Sequence, residues 1–221
     1  MKKTTLLYAA IALIGLSTLT SCVRNDYYTV DPVDNTNNNN NNNPDPYKFN
    51  EEFSSDQRGW AFGSSADSTY AFVSGGMLEF INYSVLASNT QVVNTNGDFS
   101  GNWLIETRIK SDNDMGVIFG NSGNQYEYGY SFVLNNGGYY VVYKEGNANT
   151  DITVLKNWTA NNAINSNWND VTIEQKNGYW IFMVNGYDVY QMEARPINGK
   201  YCGFIVLPQT QGYADYLTVS W

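Results

Sequence analysis

The sequence predicts an all-β domain of two packed antiparallel sheets, and three observations carry the prediction. Apolar residues after position 47 alternate with polar ones: Ile105, Thr107 and Ile109 oppose Glu106, Arg108 and Lys110, and Val171 and Ile173 oppose Asp170, Thr172 and Glu174. That is the period of half-buried strands. Five Asn-Gly pairs, beginning at Asn96, Asn136, Asn177, Asn185 and Asn198, offer the positive φ angles of tight hairpins or short turns. No stretch combines helical periodicity with helix caps. The pattern gives about a dozen strands or more, and one open sheet of that width would curl or split, so two sheets are expected to pack face to face.

Taken along the chain, residues 1–21 read as a secretory signal. Met1-Lys2-Lys3 is the charged start, Leu6 to Leu16 the apolar stretch, and small and polar residues lead up to Cys22. The apolar stretch is too short to span a bilayer. Its end, Leu19-Thr20-Ser21-Cys22, resembles the bacterial lipoprotein box. The resemblance implies that Cys22 is the lipidated first residue of the mature chain, and more than one acyl chain gives lasting anchorage. Val23 follows the cysteine, and Asp appears only at Asp26. The inner-membrane retention signal of such lipoproteins, Asp directly after Cys, is absent, which implies the outer membrane of a Gram-negative envelope, with surface exposure left open.

Residues 22–46 read as a tether. Asn37 to Asn43 form an unbroken run flanked by Asp31-Pro32, Pro44 and Asp45-Pro46, with almost nothing to bury. As a flexible coil its root-mean-square reach is roughly 25–30 Å. Residues 47–221 form the domain. Within it Gly178 to Val184 is apolar on both faces and is expected to be central in its sheet. Tyr187 to Met192 is expected to pair with it across Asn185-Gly186, and a closing strand ending in Ala214-Asp215-Tyr216-Leu217 is expected to lie beside the opening Tyr47-Lys48-Phe49.

Composition excludes several functions. With 12 Lys and Arg against 21 Asp and Glu, a net charge of −9 and no basic run, the chain lacks the footprint of a nucleic-acid binder. It has no histidine, hence no His-based triad, imidazole shuttle or His-ligated metal. Its two cysteines, Cys22 and Cys202, are too few and too far apart for a disulfide scaffold. Cys202, between Tyr201 and Gly203, reads as a small buried hydrophobe.

The domain resembles a known fold family. Leu155-Lys156-Asn157-Trp158-Thr159, then Ala163-Ile164-Asn165 and Asn169-Asp170-Val171-Thr172-Ile173, are similar to the concanavalin A-like jelly roll of laminin-G-type and bacterial surface domains. Val184-Asn185-Gly186, Gly199, Gly203 and Ala214 to Val219 continue the likeness, and Tyr130-Ser131-Phe132 with Gly138-Tyr139-Tyr140 fits it upstream. The resemblance implies a two-sheet antiparallel jelly-roll β-sandwich. Glycoside hydrolases on this fold carry two carboxylates on one strand, Glu-x-Asp-x-x-Glu or Glu-x-Asp-x-Glu, and this chain has neither string. Glu106 and Glu127 each stand alone on their strands, and Glu106 with Arg108 and Lys110 reads first as solvated surface charge. The chain is therefore read as a non-enzyme, with a hydrolase using Glu106 or Glu127 the least favoured alternative.

Binding fits the residues better. The chain has 18 Tyr, more than its Lys and Arg together, and Tyr buries a ring while its hydroxyl stays wet. Sugar rings stack on such rings, and Asn, Asp and Gln take their hydroxyls. The candidate carbohydrate-binding residues are Tyr126, Glu127 and Tyr128, with Glu106 and Arg108. Alternation would put Tyr126, Tyr128 and Tyr130 on one face, where they could equally be core, and Gly129 would let a ligand approach the backbone beside Glu127. Asp112 and Asp114, two apart in a loop, offer hard oxygen ligands for calcium, although a polar turn explains them as well. Trp60, Trp158 and Trp180 are expected to pack. Asp67-Ser68-Thr69 resembles a short O-glycosylation pattern of envelope proteins. The expected partners are a glycan or polysaccharide and, through the lipid anchor, a membrane; adhesion to another protein is the alternative.

Overall fold

The alternating pattern is realised as strands throughout the described part of the chain, which in the computed structural model comprises residues 49–64, 68–123, 129–146 and 152–221. In chain order the strands are β1 (Phe49–Glu51), β2 (Phe62–Ser64), β3 (Thr69–Ser74), β4 (Met77–Asn82), β5 (Asn89–Asn94), β6 (Trp103–Ser111), β7 (Asp114–Asn121) and β8 (Tyr130–Asn135). They continue as β9 (Tyr139–Lys144), β10 (Thr153–Ala160), β11 (Asn169–Lys176), β12 (Tyr179–Val184), β13 (Tyr187–Glu193), β14 (Tyr201–Val206) and β15 (Thr210–Ser220). All pairings are antiparallel. The nine-stranded sheet runs β13-β12-β11-β6-β15-β4-β3-β2, with β1 also on β15, and the six-stranded sheet runs β10-β9-β8-β7-β14-β5.

Local turn chemistry explains two of the hairpins. Asn177-Gly178 and Asn185-Gly186 all have positive φ, the geometry of a two-residue turn whose twist matches its flanking strands. The other Asn-Gly pairs behave differently. Asn96 has positive φ but Gly97 does not, Gly138 and not Gly137 is the left-handed residue after Asn136, and neither Asn198 nor Gly199 is left-handed. Gly199 lies instead against β7, where a Cβ would stand 1.8 Å from the Asn121 carbonyl oxygen.

The closing strand pairs as expected, Phe49 opposite Val219 and Glu51 opposite Leu217. The expectation for Gly178 to Val184 needs correcting. β12 lies one strand in from the sheet edge, with Trp180, Phe182 and Val184 buried and Ile181 and Met183 only half-buried. An apolar run on both faces marked a strand partly sheltered by its own hydrophobic surface, not a central one.

Between the sheets the core is aromatic. Trp180 lies 4.6 Å from Tyr130, 5.4 Å from Phe119 and 6.2 Å from Trp103 between ring centroids. Phe182 continues the row to Phe132 at 5.0 Å. Such pairs add about 0.5–1.5 kcal/mol each beyond their buried area. The segment after β1 closes the β5–β14 side of the sandwich. Phe53 and Trp60 are fully buried against Phe204. Glu51 organises the segment, taking the Trp60 indole N–H at 2.9 Å and the Phe53 amide at 2.9 Å, with Arg58 at 3.0 Å. Trp60 and Trp180 thus pack as expected. Trp158 does not; it is 42 % exposed, on an edge strand whose pairing with β9 shifts register twice.

Candidate functional site

The six-stranded sheet is apolar on both sides, and the side turned away from the core holds the candidate site. Antiparallel register aligns three rows of outward residues. Gly203, Ile118, Ser131 and Tyr143 form one; Ile205, Gly116, Val133 and Val141 form the second; Asp114, Asn135 and Tyr139 lie in the third, which Leu207 joins through its amide bond to the Asp114 carbonyl. Val133, Val141 and Ile205 make a small buried cluster separate from the main core, and Tyr143 and Leu207 pack against it. Two glycines let the strands run close here. A Cβ on Gly116 would lie 2.2 Å from the Phe132 carbonyl oxygen, and one on Gly203 would lie 2.0 Å from that of Gln91.

Polar groups stand at the two ends of this apolar strip. At one end Glu145 follows β9, its amide bonded to the Gly129 carbonyl, and its Oε1 accepts the Ser131 hydroxyl. At the other, Asp114 Oδ1 accepts the Asn135 amide at 2.6 Å. Burial raises both carboxyls above their ordinary values, the Ser131 and Asn135 bonds opposing it in part. Burial also raises the Tyr143 phenol, and the charges of Asp114 and Glu145 push it further the same way. Three perturbed titratable groups on one face mark a functional-site candidate. The two carboxylates are not a hydrolytic pair. Asp114 is opposite Asn135 and Glu145 opposite Gly129, six residues apart along β8, or about 20 Å at 3.4 Å per residue. Glycoside hydrolysis uses carboxyl groups about 5–9.5 Å apart.

The residues singled out from the sequence fall in several places. Tyr126, Glu127 and Tyr128 lie outside the described residues, as does Cys22. Tyr130 is core, 3 % exposed, and its hydroxyl donates to the Pro196 carbonyl at 3.1 Å. Gly129 is not open to a ligand on its Cβ side, since a Cβ there would meet the Phe119 carbonyl oxygen at 3.1 Å.

Glu106 and Arg108 sit on the opposite surface of the molecule, the outer face of the nine-stranded sheet. Arg108 is 3.7 Å from both Asp170 and Asp215 and covers the Trp168 ring at 5.4 Å. Lys110 stands 4.7 Å from the Trp168 and Tyr213 rings. Beside them Glu79 accepts from Gln211 Nε2 at 2.6 Å and from the Tyr213 hydroxyl at 3.1 Å. Farther along, Tyr70 stacks on Phe72 and meets Tyr83 edge-on, and Phe72, Tyr83 and Leu86 are well exposed.

Asp112 and Asp114 have their hydrogen-bond partners on different sheets. The chain crosses from one sheet to the other between β6 and β7, so Asp112 accepts the Gln211 amide at 2.7 Å beside the nine-stranded sheet while Asp114 faces outward from the six-stranded one. The Asp112 charge acts on Tyr213 and that of Asp114 on Tyr143. Among the described residues no three acidic or cysteine side chains form a metal-binding group. Of the pattern Asp67-Ser68-Thr69, Asp67 lies outside the described residues, Ser68 is half-buried and Thr69 is buried. Cys202 is buried as expected, and burial pushes its thiol up to about 12.

Sequence reasoning missed Ser131, Tyr143 and Glu145. The available signal was alternation across Val141, Tyr143 and Glu145, masked by the apolar Val142 and the charged Lys144 between them.

No family model matches the chain, and no curated protein matches it. Solved structures do. A chain from a structure described as endo-acting O-glycanases, which prominent members of the human gut microbiota express to initiate mucin breakdown, is similar with TM-score 0.54 and 8 % identity, over 79 % of this chain and 98 % of that one. A carbohydrate-binding module of Bacillus subtilis gives TM-score 0.48 and 11 % identity over 73 % of this chain and 92 % of its own. A Caenorhabditis elegans galectin gives 0.41 and 13 % over 72 % and 100 %. At such identities the likeness is one of fold. The chain is an all-β, two-sheet antiparallel jelly-roll β-sandwich.

Proposed function

We propose that this chain is a lipid-anchored cell-envelope protein whose β-sandwich binds a glycan without catalysis. The observation that supports the reading is the set of partly exposed polar groups, Tyr143 with the partly desolvated carboxylates of Glu145 and Asp114, at the margins of an apolar strip whose Val133, Val141 and Ile205 are themselves buried. Glu145 and Asp114 each give one oxygen to a neutral neighbour and keep another for a ligand hydroxyl. The half-buried Tyr143 ring offers a surface for the C–H face of a sugar. A sandwich of this fold that acts on mucin glycans supports sugar as the ligand class. The lipoprotein-like Leu19-Thr20-Ser21-Cys22 supports the anchor, and the wide separation of Asp114 and Glu145 supports binding over hydrolysis.

The test is a glycan array probed with the chain and with Tyr143→Ala. A specific hit that Tyr143→Ala weakens at least tenfold supports the site, and a clean negative at high protein concentration sinks it. Cys22→Ala should move the expressed protein from the membrane fraction to the soluble one; an unchanged distribution would refute lipidation at Cys22. A second reading, adhesion to a protein, is favoured by the exposed Phe72 on the other sheet and by Tyr83 and Leu86 just after β4, because exposed apolar surface marks interaction sites.

A further inference from the structure

The loop after β4 holds apolar side chains in water on a pinned backbone. Asn82, fully buried at its base, donates to the carbonyls of Ala87 at 2.8 Å and Leu207 at 3.1 Å and accepts the Ser84 amide at 3.0 Å. The Ser84 hydroxyl accepts the Leu86 and Ala87 amides at 3.2 and 3.1 Å. The Tyr83 amide donates to the Ser68 carbonyl, and the Ser84 carbonyl accepts the Gln209 amide. So held, the loop presents Tyr83, Val85 and Leu86 outward at 63, 65 and 90 % exposure. Tyr83 meets Tyr70 edge-on, and Tyr70 stacks on the exposed Phe72. From Phe80 to Gly97 the sequence has no charged residue.

From this arrangement, and resting on the lipid-anchored reading above, we infer that the loop at Tyr83–Ala87 dips into a lipid surface with zwitterionic headgroups and so sets which end of the domain faces the membrane. A loop already pinned in shape loses little freedom on docking. Aliphatic side chains at the apex with tyrosines behind them suit a membrane interface, where Tyr lies at headgroup level. A stable protein interface takes about 20–30 residues a side, far more than this loop offers, whereas a bilayer accepts a few apolar side chains. A net charge of −9 and a segment without cations give anionic lipid nothing to attract. Chain length permits the contact. The loop lies at the Thr210 end of β15, where Thr210 is opposite Asn82, and the chain enters the domain at the other end, where Phe49 is opposite Val219. From Thr210 to Val219 the strand covers about 30 Å, and the tether read from the sequence has a reach of roughly 25–30 Å. A lipid on Cys22 and the loop can therefore hold the same membrane, and effective concentration is highest where a linker's reach matches its span.

The experiment attaches an environment-sensitive fluorophore at Ala87→Cys in the full lipidated chain, reconstituted in phosphatidylcholine vesicles with and without a quencher-bearing lipid. Cys202 is fully buried and Cys22 is acylated in the anchored chain, so the label reports one site. Ser74→Cys, exposed at the opposite end of the β3–β4 hairpin, is the reference. The expected result is a blue-shifted probe at 87, quenched several-fold more than the probe at 74, and a loss of that difference when Val85→Ser and Leu86→Ser are added with Tm unchanged. Equal quenching at the two sites, or quenching that the serine pair leaves as it was, overturns the inference. A blue shift that the lipid quencher does not touch means that a second chain covers the loop, and overturns it too. Acylation of Cys22 is read separately from the mass of the chain. Its absence refutes the anchor, and the same quenching, measured on Cys22→Ser with vesicles added, then decides for or against the loop.

Discussion

The two outer faces of this sandwich treat charge in opposite ways. On the nine-stranded sheet Arg108 has two carboxylates within 4 Å and an indole beneath it, and Lys110 lies against two rings. On the six-stranded sheet Asp114 and Glu145 stand at either end of an apolar strip, each with a single neutral hydrogen-bond partner. Matched charge at the water interface contributes to solubility and a little to stability, and asks for no further explanation. Unmatched carboxylates that burial holds above their ordinary range lower the stability of the fold at neutral pH, and such local conflicts gather at functional sites. The proposed glycan site lies on the smaller sheet for this reason, although the larger one has more exposed aromatic surface.

The largest expected effect comes from breaking the backbone approach beneath the strip. Gly116→Ala would force a Cβ to within 2.2 Å of the Phe132 carbonyl oxygen and 2.6 Å of the Val133 Cα, both main-chain atoms that cannot rotate away. Overpacking of this kind costs about 1–3 kcal/mol or more, read as a lowered Tm. Gly101→Ala is the control, because a Cβ there meets nothing within 4 Å and Tm should hold. If Gly116→Ala melts with the parent chain, the strands are not as closely apposed as described.

A smaller effect separates the two faces by pH. Glu145 and Asp114 bind their protons more tightly in the fold than their ordinary values of 4.5 and 3.8. The native state therefore holds more protons than the unfolded one in the window above those values, and stability falls as pH rises through it. Glu145→Gln removes the charge that burial disfavours. It should raise Tm by a few degrees at pH 7, flatten the decline between acid and neutral pH, and leave Tm little changed below the ordinary carboxylate range. A melting series across that range checks the sign. A lower Tm for Glu145→Gln at pH 7 would mean that the carboxylate has a stabilising partner.

How much of this was legible in the sequence follows from how local each feature is. Asn177-Gly178 and Asn185-Gly186 specify their hairpins within two residues, and the alternation of Ile105, Thr107 and Ile109 fixes which side of β6 is buried, so the sandwich could be read from the chain. The site could not, because its defining property is relational. Glu145 is distinctive only for standing beside Ser131, 14 residues away. Asp112 and Asp114 look like a pair in the sequence, yet the step from β6 to β7 turns their carboxylates toward different sheets. The apolar run at Gly178 to Val184 suggested a central strand, whereas the strands apolar on both sides that support the site are β7, β8 and β14, where glycines at 116 and 203 interrupt the pattern. Arg108 stands on a solvated face, as the alternation along β6 predicts.

The smallest expected effect is therefore at Arg108, and it tests the comparison most sharply. Its two ion pairs are long, at 3.7 Å, and its side chain is 44 % exposed. Exposed pairs of this geometry contribute about 0–1 kcal/mol, screened further by salt. Arg108→Ala should lower Tm by at most a degree or two in low salt, should lose even that difference at high salt, and should leave glycan affinity within twofold of the parent chain. Loss of glycan binding in Arg108→Ala, with Glu145→Gln still binding, would exchange the roles of the two faces: the paired charges beside Trp168 would hold the ligand, and the lone carboxylates on the smaller sheet would need a different account.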